Sequence, residues 1–214
     1  MSNTQPGNDF IAHRRKDGEE QSLVRHLIET AQLAESISAK LGLPEIGKII
    51  GLLHDFGKAS NLFQGYLRSK QGLISPDEDG YVDAQRGEVD HSTAGAQLAF
   101  EKLASRGQEG KILAQFLALA IASHHSGLID CLKPDGFNEF ERRIIKKDNL
   151  THLVEARSKL PDIEKQLDVI LAQPIEQQFF EKLFRQMKEP NDSAETMCFK
   201  HGLLARFLLG CVLE

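Results

Sequence analysis

Leu23, Leu27, Ala31, Ala34, Ile37 and Leu41 recur at three- and four-residue intervals, the spacing of one buried face on an α-helix. The same period returns along most of the chain, and no apolar–polar alternation is long enough to define a strand. This restricts the fold to packed helices. Ser22 reads as the N-cap of the first helix and Gly42 as its stop. Pro44 suits the first turn of a second helix, whose Ile46, Ile49, Ile50 and Leu53 lead into His54-Asp55, with Gly57 as its end. A short helix is expected at 61–68 and a loop at 70–89. Asp90 would cap a helix from His91 to Ala104, and a turn at 105–110 would precede an apolar helix from Lys111 to His125. Segments 138–158, 161–172, 174–188 and 192–213 complete the series, punctuated by Pro161, Pro174 and Pro190. The reading is an all-α, compact helical bundle forming one domain over residues 1–214.

Composition excludes several classes. Trp is absent and aromatic residues make up 7%, which argues against a β-sandwich or a base-stacking platform. The net charge of −5 is not that of a nucleic-acid coating module, although bound metal ions or a local basic groove would still attract a polyanion. Cys131, Cys198 and Cys211 are widely spaced and form no CxxC pair, so neither a disulfide framework nor a cysteine zinc site is expected. The N-terminus lacks an apolar signal stretch, and no apolar run approaches the ~20 residues that span a bilayer. These features read as a cytoplasmic protein with no membrane partner. No GxSxG, P-loop or Rossmann glycine pattern occurs, so ATP hydrolysis is not expected of this chain.

Eight histidines are the unusual entry in the composition. Five of them, His26, His54, His91, His124 and His125, fall at helix ends or early in helices. His54 is followed at once by Asp55, and an adjacent imidazole and carboxylate at a helix terminus can reach one ion. Asp90-His91 repeats the pairing. His124-His125 closes an apolar helix, where two buried imidazoles each need a polar partner, and a metal supplies one. A lone histidine on a helix edge is more often a surface or internally satisfied residue, and His13, His152 and His201 are read that way.

The order H26…H54-D55…H91…H124-H125 resembles the HD-domain superfamily of metal-dependent phosphohydrolases. GLLHDFGKAS-NLFQGYL (51–67), DHSTAGA (90–96) and IASHHSGL (121–128) narrow the resemblance to the HD nuclease domain of CRISPR-associated type I systems, which accompanies or is fused to a superfamily 2 helicase. The resemblance implies that His26, His54 and Asp55 hold a first metal. It implies that Asp55 bridges to a second, held by His91, His124 and His125. Lys58 would sit beside the metals and stabilise charge on a phosphoryl group, making Asp55 and Lys58 the catalytic pair. Ser92 would offer a helix start to phosphate oxygens, with helix capping as its plainer role. Gln64 would line the site, with Phe63 beside it in the core. The family's last helix usually adds a carboxylate after a small residue. Here the chain stops at CVLE214, so the expectation is a cut within the last helix, with Glu214 as a substitute ligand or a three-liganded site as the alternatives.

Two metals bridged by a carboxylate suit phosphodiester hydrolysis by activated water. The implied cofactors are one or two divalent transition ions, Mn, Ni, Co, Fe or Zn, with Mg less favoured. The implied function is cleavage of single-stranded DNA, with RNA tolerated, by endonuclease and exonuclease action in CRISPR interference and antiviral defence. The implied partners are the helicase and the CRISPR surveillance complex. Arg14, Arg15 and Lys16, or Arg142, Arg143, Lys146 and Lys147, could track phosphates, against the plainer reading of solvated helix faces. Two other functions stay open at this stage. One is an HD phosphohydrolase of nucleotides or cyclic nucleotides. The other is a non-catalytic helical module that binds a partner.

Overall fold

In the computed structural model, which describes residues 10–14, 18–85, 87–125, 127–131, 133–183 and 189–212, the Ser22 hydroxyl accepts the Arg25 amide and opens helix α1, Leu23–Ala39. Arg15, Lys16 and Glu214 lie outside the described residues, as does 184–188 of the segment expected to be helical. Gly42 takes a positive φ of 69° just after α1, where a side chain would be strained. Pro44 then begins α2, Pro44–Leu53, at the position where a missing N–H costs nothing. A 3₁₀ turn, Phe56–Ala59, joins α2 to α3, Asn61–Lys70. After the long loop come α4, Ser92–Ala104, and α5, Gly107–Ser123. The remaining helices among the described residues are α6 (Glu139–Ile144), α7 (Asp148–Thr151), α8 (Leu153–Lys159), α9 (Pro161–Leu171), α10 (Ile175–Glu181) and α11 (Ala194–Gly210). None of them is long and apolar enough to cross a membrane.

Two antiparallel pairs, α1 with α2 and α4 with α5, make the frame, and α2 packs on both members of the second pair. Leu27, Ile49, Ile50, Leu53, Leu98 and Leu117 are fully buried between them. A Cβ placed on Gly95 would overlap the Leu53 carbonyl oxygen, so the absence of a side chain sets how closely α4 approaches the end of α2. Gly95→Ala should therefore destabilise the protein by about 3 kcal/mol, at the upper end of overpacking costs, measured by urea unfolding. An unchanged midpoint would show that the two helices can part without cost.

The structure corrects the sequence reading at four places, the first being that α2 stops at Leu53, short of the expected end at Gly57. A β-hairpin precedes α1, with β1 (Ile11–Arg14) paired to β2 (Glu20–Ser22). The register slips between Ile11 and His13, and four residues opposite three leave no alternation to detect. The expected helix 138–158 is instead three short ones. Asp148 marks one break: its carbonyl closes α7 by accepting the His152 amide at 2.6 Å, and its carboxylate accepts the Val154 amide at the start of α8 at 2.8 Å. His152 is left in the left-handed region with φ 56°. The expected turn at 105–110 is shorter, because α5 already starts at Gly107.

Candidate metal centre

His54 and Asp55 are consecutive, and in a continuous helix their side chains would diverge by about 100°. The helix ends at Leu53, Asp55 leaves it with φ −109° and ψ 16°, and both groups reach the same point. The C-terminal end of α5 does the same for His124 and His125, beyond Ser123, with Gly127 at φ 73° reversing the chain. His26 arrives from the second turn of α1, and His91 from the entrance to α4. Gly57 lies against the His91 backbone, where a Cβ would overlap the carbonyl oxygen, and its amide donates to that oxygen at 3.2 Å. Four helix ends thus converge on one carboxylate.

That carboxylate is fully buried and faces two ways. Oδ1 has His124 Nε2 at 3.4 Å, His91 Nε2 at 3.6 Å and His125 Nε2 at 3.9 Å. Oδ2 has Lys58 Nζ at 2.7 Å, His26 Nε2 at 3.0 Å and His54 Nε2 at 3.2 Å. His91 Nε2 and His125 Nε2 are 2.6 Å apart. The ligating atoms of Asp55, His91, His124 and His125 all fall within 4.8 Å of one another, as do those of His13, His26 and Asp55.

Tautomers follow from the carbonyls at the helix ends. His54 Nδ1 donates to Gly51 O at 2.8 Å and His124 Nδ1 to Ile121 O at 2.7 Å. These carbonyls belong to last turns that have no further amide to accept. With the proton on Nδ1, each ring in its neutral form turns the Nε2 electron pair toward Asp55. Asp55 Oδ1 and His124 Nε2 are both buried without a hydrogen-bond partner. Two facing electron-pair donors with no proton between them are costly, unless a cation lies there. The residues present therefore fit divalent metal ions, through imidazole and carboxylate donors.

The electrostatics agree. Burial alone would raise the Asp55 carboxyl, but charge on His54 and hydrogen bonds from His124, His26 and His54 outweigh it and hold it well below the usual carboxylate range, so that protons on the facing imidazoles do in the metal-free centre what a cation would do. Burial pushes His91 down to about 3 against the opposing pull of Asp55, with the Lys58 and His125 charges adding to the depression. Burial also lowers His26, again against its contact with Asp55. The centre keeps its carboxylate ionised and holds these two imidazoles neutral at physiological pH.

The other residues singled out in the sequence fall as follows. Lys58 is buried with its ammonium on Asp55. Gln64 is buried, and its amide is committed to the backbone: it accepts from Ile11 N at 3.0 Å and donates to Ile11 O at 3.0 Å and Lys58 O at 2.8 Å. Phe63 packs against the His91 ring, the two tilted by 54° with centroids 4.6 Å apart. Ser92 donates its hydroxyl to Ala122 O at 3.5 Å and accepts from Arg143 at 3.3 Å. Asp90 is not brought in either: it caps α4 through Thr93 and pairs with Lys146 at 2.6 Å. Arg142 pairs with Glu139, and Arg143 also donates to Ala122 O. Two charges of the second basic cluster, Arg143 and Lys146, thus tie this segment to the start of α4 and the end of α5, while Arg142 pairs within α6. Arg14 lies within the hairpin, facing Glu20. His152 and His201 are not among the grouped ligands, whereas His13 is. Sequence reasoning missed His13 because nothing placed residues 11–14 beside α3 until the Gln64 bridge was seen.

A helical frame whose ends converge on a buried His/Asp cluster of this order is the HD-domain architecture. The family described as "Cas3, HD domain" matches residues 12–188. The chain belongs to that family, a branch of the HD phosphohydrolase superfamily found in type I CRISPR systems. It is also similar to Ribonuclease Y of Opitutus terrae (strain DSM 11246 / JCM 15787 / PB90-1), at 50% identity over 42 residues, which are 19% of this chain and 8% of that protein.

Proposed function

We propose that the chain is a metal-dependent nuclease that hydrolyses phosphodiester bonds of single-stranded DNA in CRISPR interference. It would act with a superfamily 2 helicase and a CRISPR surveillance complex. The observation that carries this reading is the Asp55 carboxylate, which turns one oxygen to each of two imidazole groups. His91, His124 and His125 would hold a cation on the Oδ1 side, and His26 and His54 one on the Oδ2 side. Bound divalent ions supply Lewis acidity and lower the pKa of water toward neutrality, which phosphodiester hydrolysis needs.

The chain's own groups do the rest. Gly51 O and Ile121 O hold the Nδ1 protons of His54 and His124, so that neither ring turns out of register. Lys58 brings a buried ammonium to the Oδ2 side, where it would face a phosphoryl oxygen. Gln64 acts as a positioning residue, because its amide ties the Lys58 carbonyl to the hairpin. The His125 side chain is 41% exposed, so the centre opens to the surface on that side. An open edge suits a passing strand better than the enclosed pocket that a mononucleotide needs.

The test is digestion of circular single-stranded DNA with Mn²⁺ or Ni²⁺, with matched single-stranded RNA and a panel of nucleotides alongside. Nicking of the circle followed by degradation is expected. RNA cleavage with no DNA cleavage would overturn the substrate assignment. Nucleotide turnover with neither polymer cut would move the chain to the nucleotide-hydrolysing branch of the superfamily.

A further inference from the structure

We infer that His13, on strand β1, is an additional ligand for the cation on the Oδ2 side of Asp55, so that the hairpin closes this half of the centre. The inference rests on the metal-dependent reading above. His13 belongs to one compact group with His26 and Asp55, all of whose ligating atoms lie within 4.8 Å of one another. Its ring stands edge-on to the His26 ring, with centroids 4.7 Å apart.

A second observation comes from Lys58. Its ammonium lies 2.7 Å from Asp55 Oδ2 and 3.5 Å from His13 Nε2. A positive group of the chain itself already stands between these two atoms, so both direct electron pairs to the same point. A divalent ion bound at that point would displace the ammonium, since two cations cannot share it.

The hairpin is placed for this role. Gln64 grips both backbone groups of Ile11, two residues before His13, and with the same amide holds the carbonyl of Lys58. Ile11 and Ala12 are buried, which seats β1 on the bundle, whereas His13 is only half-buried and stands at the rim. A rim ligand on a short hairpin differs from the others, which all sit at the ends of long helices. Its removal should weaken one cation without dismantling the frame.

The experiment is a Mn²⁺ titration by calorimetry of the intact chain, in the wild type, His13→Ala and His125→Ala, with circular dichroism to show that each is folded. Proton NMR of the Co²⁺ form adds a readout that a merely structural role would not move. Each ligating imidazole gives an exchangeable N–H signal shifted far from the ordinary range. In His13→Ala one of two Mn²⁺ sites should weaken by at least tenfold, the other should hold, and one shifted N–H signal should vanish. His125→Ala should weaken the opposite site instead. Two unaltered sites and an unaltered set of signals in His13→Ala would overturn the inference and leave the metal-dependent reading standing. No Mn²⁺ bound by the wild type would overturn both. A His13→Ala chain that fails to fold would overturn the claim that this ligand can be removed without dismantling the frame. His13→Gln, which keeps bulk and polarity, then decides the ligand role by the same two readouts.

Discussion

Asp55→Asn is expected to abolish hydrolysis, by on the order of 10³-fold or more, equivalent to about 4 kcal/mol of barrier. The amide keeps the shape of the side chain but removes the charge that both imidazole groups face. An asparagine has one carbonyl oxygen, so it serves one side of the centre at most. The same change acts on the folded state before any metal binds. Lys58 is 3% exposed, and its ammonium has Asp55 Oδ2 at 2.7 Å. Neutralising Asp55 leaves a buried cation without its counter-charge, a loss of roughly 3 kcal/mol in comparable cases. The metal-free variant should therefore unfold at lower urea. Asp55→Asn with Lys58→Met, which removes both charges, should recover much of that stability while remaining inactive. A single variant as active as the wild type would contradict the role of the carboxylate. Full stability in the single variant would show that Lys58 finds another partner.

The second large effect is acid instability of the metal-free protein. His91 is held near 3 and His26 is also lowered, chiefly by burial, while free imidazole takes up its proton near 6.5. A histidine depressed in the folded state binds its proton first in the unfolded chain. Folded stability is then lost as pH falls below 6.5, at roughly 1.4 kcal/mol per unit for each such group, until its folded pKa is reached. Asp55, whose folded pKa is also lowered, adds to the loss only below about 4. Urea midpoints of chelator-treated protein at pH 7.5, 6.0 and 5.0 should fall in that order. Mn²⁺ should offset the loss at pH 7.5 and progressively less as protons compete for the imidazoles. A flat profile from pH 7.5 to 5.0 would mean that these histidines are protonated without cost and do not face one another in a buried centre.

Much of the frame is legible in the sequence because its signals are local. Ser22, Gly42 and Pro44 mark the ends of α1 and α2 by backbone chemistry that needs no tertiary contact, and the structure puts them in those roles. His54-Asp55 and His124-His125 are visible as pairs for the same reason. What is not legible is how an adjacent pair comes to converge. That depends on α2 stopping at Leu53, well short of the expected end at Gly57, and on α5 stopping at Ser123, two residues before the expected His125. The basic cluster 142–147 is visible as charge, but its partners Asp90, Ser92 and the Ala122 carbonyl lie more than 20 residues away and are invisible until α6 is placed. His13 was hidden for a similar reason. Its strand is too short to announce itself, and the Gln64 contact that carries it to the centre spans 53 residues.

The central claim is that Asp55 stands between divalent cations held by the histidines around it. Anomalous X-ray scattering from crystals grown with Mn²⁺, collected above the Mn absorption edge, tests it most directly. The account predicts a peak on each side of the Asp55 carboxylate, one against His91, His124 and His125 and the other against His26 and its neighbours. Well-occupied peaks elsewhere in the crystal with none at Asp55 would contradict it.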